Sequence, residues 1–200
     1  PTNIIYEEDE LKDYKVIIDP AFELVDDDLI AKWKHYVMEG GNLVLTVRTG
    51  VKDRNGHIFR SGWGGKIYPL IDAAIDDFDH LLPQDKGTIN AFGKEYYWNN
   101  WADQFYAGKS AVVRNKLGKG TVTYIGVDTD EGQLEKDVLR MIYQQANIST
   151  EDYPEGIYVQ WTKGFWVAVN YSSEDYRLEI PENSKILTGT HIVKPGGVTV

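Results

Sequence analysis

The residues Gly108, Lys109 and Ser110 match the end of a phosphate-binding loop, in which the lysine reaches the phosphates of a bound nucleotide. That motif requires an earlier glycine at the position where this chain has Asp103. It also requires a helix after the serine, whereas the residues from Ala111 onward have the composition of a strand. The three residues are therefore predicted to form a turn before a strand.

Two groups of acidic residues partly match calcium-binding loops. Asp128, Asp130 and Glu135 surround Gly132, but the glycine comes one position too early for an EF-hand. Since acidic residues are favoured at helix N-termini, we interpret this group as the cap of the following helix. Asp53, Asn55 and Gly56 form a similar partial match, and they are predicted to form a turn. The sequence therefore predicts no metal site and no cofactor.

Nucleophilic and acid–base chemistry finds little support in the sequence. The chain has no cysteine and no Gly-x-Ser-x-Gly motif. Its four histidines show no metal-ligand spacing: His35, His57, His80 and His191. Carboxylates are abundant, but a retaining glycosidase needs two of them about 5 Å apart in a cleft. No such pair is singled out by the sequence.

The charge balance excludes several classes of partner. With 21 basic and 31 acidic residues the net charge is −10, which opposes binding to nucleic acids and anionic membranes. No apolar run reaches the roughly 20 residues of a membrane span, and the first residues do not resemble a signal peptide. The compartment stays open between the bacterial cytoplasm and the periplasm.

Aromatic side chains are the most unusual feature of the sequence. Three explanations remain open for them: core packing, a protein interface, or stacking on sugar rings. The residues concerned are Trp63, Trp98, Trp101, Trp161 and Trp166, with Tyr96, Tyr97 and Tyr106.

The first 50 residues predict a strand, a helix and a strand that form a βαβ unit, preceded by a short strand at 3–6. Residues 15–19 contain the continuous apolar run that is typical of a parallel strand covered on both faces. A helix then begins near Asp26 or Asp27 and ends at Gly40 and Gly41. Residues 42–47 predict the next buried strand.

Residues 48–150 continue this alternation after a long loop at 48–66, and loops of that length are usually functional. The predicted elements are a helix at 68–75, strands at 76–82 and 89–98, a strand pair at 111–115 and 121–127, and a helix at 131–146. From about residue 151 only strands fit, at 157–161, 165–170, 176–180, 186–187 and 198–200. The fold class is therefore α/β, with residues 1–150 as one domain and 151–200 as a small antiparallel β domain.

Several segments in order resemble the middle, trimerisation domain of family 42 β-galactosidases. The segment YKVIIDPAFELVDDDLIAKWKHYVMEGG is similar to the start of that domain, and Arg48, Thr49 and Gly50 lie where the family has an Arg-Ser/Thr-Gly turn. The segment FYAGKSAVVRNKLGKGTVTYIGVDTD resembles a later stretch, and VAVNYS and ILTG resemble the family's C-terminal β domain.

The resemblance implies a flavodoxin-like, three-layer domain related to class I glutamine amidotransferases, with its first strand and helix outside this chain. It also implies that the catalytic barrel and its two glutamates lie elsewhere, so that no residue here is catalytic and the galactoside substrate binds at the barrel.

The implied function is non-catalytic assembly of a homotrimer. The candidate subunit-contact residues are Arg48, Asp53, Trp63, Trp98 and Trp101. The alternative is a carbohydrate-binding accessory module of a glycoside hydrolase.

Overall fold

The computed structural model describes residues 2–75, 87–91, 94–98 and 109–200. Contacts between residues within the chain divide the protein into two compact units. One unit is Glu7–Ser149, and the other combines Pro1–Tyr6 with Thr150–Val200.

The larger unit contains, among its described residues, six strands and three α-helices. In chain order they are β1 (Val16–Asp19), α1 (Asp27–Met38), β2 (Asn42–Thr46), α2 (Tyr68–Ile71), β3 (Gly87–Ala91), β4 (Lys94–Trp98), β5 (Val112–Leu117), β6 (Gly120–Ile125) and α3 (Gln133–Gln145).

A four-stranded open sheet with the order β1-β2-β6-β5 forms the centre of this unit. β1, β2 and β6 are parallel, with Val16 opposite Asn42 and Asn42 opposite Thr121, while β5 is antiparallel to β6. The predicted βαβ unit and the predicted strand pair are therefore confirmed.

Helix α1 has the ends that its sequence predicts. The Asp26 carboxylate caps it by accepting a hydrogen bond from the Leu29 amide at 2.8 Å. The predicted apolar stripe contains the buried residues of the helix, namely Leu29, Trp33, Tyr36 and Val37. After Met38 the chain turns at Gly40, whose φ of 117° favours glycine.

Both faces of the sheet are covered, which explains the continuous apolar runs. Val44 lies in a core cluster with Leu134, Val138 and Ile142 of α3. The opposite face carries Leu43, which is also buried. The Asn115 side chain is on that second face by register, and its amide donates to the Leu70 carbonyl of α2 at 2.8 Å. Helices α2 and α3 thus pack on opposite faces.

The smaller unit consists of β strands. They are β7 (Ile157–Thr162), β8 (Phe165–Asn170), β9 (Tyr176–Arg177), β10 (Ile192–Val193) and β11 (Val198–Thr199). β7 and β8 form an antiparallel hairpin to which β11 adds, and β9 pairs with β10. The buried Asn170 holds this unit together, because its side-chain amide donates to the carbonyls of Glu174 and Val193 at 2.7 Å.

Four predicted elements need correction. Residues 3–6 form no strand, and Ile4 is 93% exposed there. The single strand predicted at 89–98 is wrong, because Gly87–Ala91 pairs antiparallel with Lys94–Trp98. The predicted helix at 68–75 ends at Ile71, where Asp72 adopts the left-handed conformation (φ 53°). The strand predicted at 186–187 is absent, while the strand predicted at 76–82 lies outside the described residues.

Candidate functional site

The loop from Arg48 to Lys66 begins at the carboxyl end of β2, where parallel-sheet proteins commonly place functional residues. Arg48 (φ 69°) and Gly50 (φ 75°) turn the chain sharply there. Thr49 is fully buried between them. An added Cβ on Gly50 would lie 2.8 Å from the Ile67 side chain. The start of the loop is therefore fixed by packing.

Backbone hydrogen bonds fix the middle of the loop. Lys52 forms a parallel bridge with Leu24 and an antiparallel bridge with Ile58. The Val25 amide donates to the Lys52 carbonyl at 3.0 Å, and the Lys52 amide donates to the Glu23 carbonyl at 2.9 Å. These bridges and hydrogen bonds give the middle of the loop a defined backbone conformation.

Asp53 builds the turn at the tip of this loop, as the sequence predicts. Its carboxylate accepts hydrogen bonds from the amides of Asn55 and His57, each at 2.9 Å. The hydrogen bond from the His57 amide is the largest cause that lowers the pKa of Asp53. Gly56 completes the turn with a φ of 81°. Asp53 therefore shapes the loop from within the chain.

Ion pairs connect the loop to the residues around the start of α1. Glu23 binds both Arg48 and Lys52 at 2.5 Å. Arg54 binds the carboxylates of Glu7 and Asp26, each at 2.6 Å. Exposed pairs of this kind each contribute about 0–1 kcal/mol, so their main effect is on loop orientation.

The pKa shifts agree with these contacts. The Lys52 hydrogen bond is the main cause that lowers the pKa of Glu23, and the Arg54 hydrogen bond is the main cause for Asp26. The same carboxylates raise the pKa of Arg54, with Asp26 as the largest cause. The guanidinium thus stays charged and bridges the loop to the helix cap.

The structure places the predicted contact residues in three locations. Arg48, Asp53 and Trp63 share the loop; Arg48 is about half exposed, and Trp63 is partly buried. Trp98 ends β4, where its backbone pairs with Gly87. Trp101 lies outside the described residues. The role of all five as subunit contacts stays a prediction.

Sequence reasoning did not find Arg54 and its two partners. Arg54 is separated from Glu7 by 47 positions and from Asp26 by 28. No local pattern joins such positions, since any of the many acidic residues could serve as a partner. The only signal was the arginine itself, within a loop that follows a parallel strand.

Of the three acids predicted to cap α3, only Glu135 is described in its first turn; the cap residue is Gly132, which makes no side-chain hydrogen bond to the helix, and the side chain of Asp130 lies outside the described residues. The Leu134 amide in the first turn donates to the hydroxyl of Thr129, which precedes the helix, at 3.1 Å. Glu135 accepts from the Thr129 amide at 2.8 Å and from the Thr129 hydroxyl. The Glu135 carboxylate thus orients Thr129 at the start of the helix.

Asp19 lies at the carboxyl end of β1, where its surroundings disfavour the charged form of the carboxylate. Burial, with the Glu7 charge as the second cause, raises its pKa to about 6. The folded state therefore holds the Asp19 proton more tightly than the unfolded chain, whose aspartate pKa is 3.8. Folding stability that is present below pH 4 is consequently lost as the pH rises through about 6.

We expect Asp19→Asn to remove this pH dependence and to stabilise the protein at pH 8 by about 2 kcal/mol. Urea unfolding at pH values from 4 to 8 measures it. The exposed Asp13 offers a matched control, since Asp13→Asn should retain the slope of the unmodified chain. An Asp19→Asn variant with the original slope would contradict the assignment.

Neither a metal-ligand cluster nor a membrane-spanning helix is present in the described residues. Among the described residues, no three or more His, Cys, Asp or Glu side chains cluster as a metal site would require. No helix in the described ranges has both the length and the apolar character that a membrane crossing needs.

The open, mixed sheet and its ordered loop define an α/β module without a barrel in its described part. Residues 1–105 and 98–149 match the family model of the β-galactosidase trimerisation domain. The chain belongs to this family.

Curated relatives agree with this assignment. The chain is similar to β-galactosidase BgaH of Haloferax lucentense, with 27% identity over 206 residues that cover 96% of this chain and 31% of the relative. It is also 26% identical to β-galactosidase LacA of Lactobacillus acidophilus over 159 residues, which cover 72% of this chain and 24% of LacA. The chain thus spans only 31% and 24% of the lengths of these two relatives.

Solved structures show the same fold. The β-galactosidase of Halorubrum lacusprofundi aligns with a TM-score of 0.80 and 26% identity, over 96% of this chain and 32% of that one. Gan42B, a GH42 β-galactosidase from G. stearothermophilus, aligns with a TM-score of 0.81 over all of this chain and 33% of that one. At 23% identity, the second similarity supports the fold alone.

Proposed function

We propose that this chain is the assembly module of a β-galactosidase and that it joins three subunits. The match to the trimerisation-domain family over most of the chain carries this proposal. According to this proposal, glutamates on a barrel outside this chain hydrolyse terminal β-galactosides. Residues 1–200 hold the subunits together. Neither nucleic acid nor membrane is a partner, which is consistent with the net charge of −10.

We infer that residues 1–150 form one flavodoxin-like domain, most of which is the larger unit, and that residues 151–200 form an accessory β domain. The parallel order β1-β2-β6 with helices on both sheet faces supports the first inference. The separate compact unit that contains β7 to β11 supports the second.

The loop at 48–66 is the subunit contact that we favour. Its ion pairs and backbone bridges hold it in one conformation, so little conformational entropy is lost on association. It presents Ile58, which is 54% exposed beside charged residues. A fixed loop with an apolar residue inside a polar rim has the composition of an interface.

We expect Ile58→Asp to weaken trimer formation at least tenfold, because the carboxylate would lose water in the contact. Sedimentation equilibrium over a range of concentrations measures the association constant. Leu187→Asp is the control: Leu187 is similarly exposed, at 59%, in the other compact unit. Equal association constants for the two variants would remove the loop from the contact.

A further inference from the structure

The end of the β7–β8 hairpin carries large aromatic side chains. Trp161 lies opposite Trp166, and Phe165 is next to the turn. The turn consists of Lys163 (φ 48°) and Gly164 (φ 92°), the left-handed pair that suits a two-residue hairpin. The sequence therefore fixes a tight turn with aromatics on both strands beside it.

This end of the hairpin extends beyond the rest of its sheet. The third strand, β11, pairs only with Ala168 and Val169. Ala168 is 4% exposed, whereas Trp161 is 38% and Trp166 is 48% exposed. The two indoles are therefore outside the core of this unit.

The two indoles form one surface. Their ring centroids are 5.3 Å apart and their planes meet at 65°, in an edge-to-face arrangement. Such a pair stabilises a hairpin by about 0.5–1.5 kcal/mol, which accounts for the pairing but not for the exposure. In the described part of the chain, neither indole N–H has a hydrogen-bond acceptor. The surface thus offers π faces together with two donors.

The size of the surface favours a small ligand. Half-exposed aromatics offer about 100 Å² each, so Trp161 and Trp166 offer about 200 Å², while Phe165 lies on the other face of the hairpin by register. A specific protein contact buries about 800 Å² on each partner. The area of this aromatic surface is therefore closer to the size of one sugar ring than to the size of a protein contact.

The charge of the chain narrows the ligand class further. Nucleic-acid bases also stack on aromatic rings, but their phosphates would meet a chain with a net charge of −10. A pyranose is neutral, and its C–H groups face the negative π surface while its hydroxyls accept from N–H donors. We propose that Trp161 and Trp166 form a binding surface for a neutral pyranose, and that this surface acts independently of trimer formation.

Titration of the 200-residue chain with β-1,4-galactobiose tests the proposal. We expect a dissociation constant on the order of 1 mM by calorimetry. In ¹H–¹⁵N spectra the indole N–H signals of Trp161 and Trp166 should shift. Trp166→Ala should weaken binding at least tenfold. The matched control is Ile192→Ala, which removes an equally exposed apolar side chain (48%) from the same unit and should leave binding unchanged.

Other outcomes overturn the proposal. A flat calorimetric trace for the intact chain would do so, and so would an equal response to the acyclic polyol sorbitol. Because Trp166→Ala removes a cross-strand pair, Trp166→Phe serves as a second variant that keeps an aromatic there, and it should bind at most threefold more weakly than the intact chain. If the indole signals shift with protein concentration instead of sugar, the hairpin is a protein contact and the assignment is wrong.

Discussion

Gly120→Ala is expected to unfold the larger unit or to destabilise it by about 4 kcal/mol or more. A Cβ at this position would lie 2.0 Å from the Gly41 carbonyl oxygen and 2.4 Å from the Val37 carbonyl oxygen. Both oxygens belong to backbone, so no side chain can move aside. The junction is tight because the turn before β6 is hydrogen-bonded to the end of α1, with the Lys119 amide 3.1 Å from the Met38 carbonyl oxygen. Urea unfolding monitored by circular dichroism measures the loss.

The control for this prediction is Gly56→Ala. Gly56 has a φ of 81°, but nothing lies within 4 Å of an added Cβ. Gly56→Ala should therefore reduce the free energy of unfolding only by the cost of the backbone strain, about 1–2 kcal/mol. Similar losses of stability for Gly120→Ala and Gly56→Ala would show that Gly120 does not pack closely against the Gly41 and Val37 carbonyl oxygens.

Trp33→Ala is expected to cost about 3–5 kcal/mol, the second-largest effect. Trp33 is 2% exposed on the inner face of α1. Its ring packs edge-to-face against Phe22, with the centroids 6.2 Å apart. The substitution leaves a cavity that the neighbouring side chains fill only in part. The change in the free energy of unfolding, measured in urea, checks the expected value.

Ile30→Ala on the same helix is the comparison. Ile30 is only partly buried, so its truncation should cost about 1 kcal/mol. If Trp33→Ala cost no more than Ile30→Ala, Trp33 could not be the main core contact of α1.

Local patterns predicted the elements whose causes are local. The apolar run at 16–18 gave β1, the Asp26 cap began α1, and Gly40 ended the turn after it. The pair formed by β5 and β6 followed from the turn residues between two β-rich segments. In each of these cases the deciding contacts lie within a few positions along the chain.

Predictions failed where distant partners decide the structure. The segment at 3–6 has strand composition, but its Ile4 and Tyr6 are exposed and no neighbouring strand pairs with it in the described residues. At 186–187 the apolar pair remained outside a strand, although the Leu187 amide donates to the Val200 carbonyl at 2.7 Å. Strand pairing depends on which segment arrives alongside, and composition does not specify that.

The candidate site was predictable in its position but not in its contacts. The length of the loop after β2 predicted a functional segment, and that role stays a prediction; Asp53 predicted the turn that the structure has. The Arg54 bridge depends on Glu7, which reaches the loop only after the chain has folded. Arg48 was predicted as a contact residue from the resemblance, and its pairing with Glu23 could not be inferred from sequence.

The mass of the intact chain in solution tests assembly most directly. Size-exclusion chromatography with light scattering should give three times the 22.8 kDa of one chain, with dissociation on dilution. A mass of 22.8 kDa at every concentration would contradict the proposal that these residues hold subunits together.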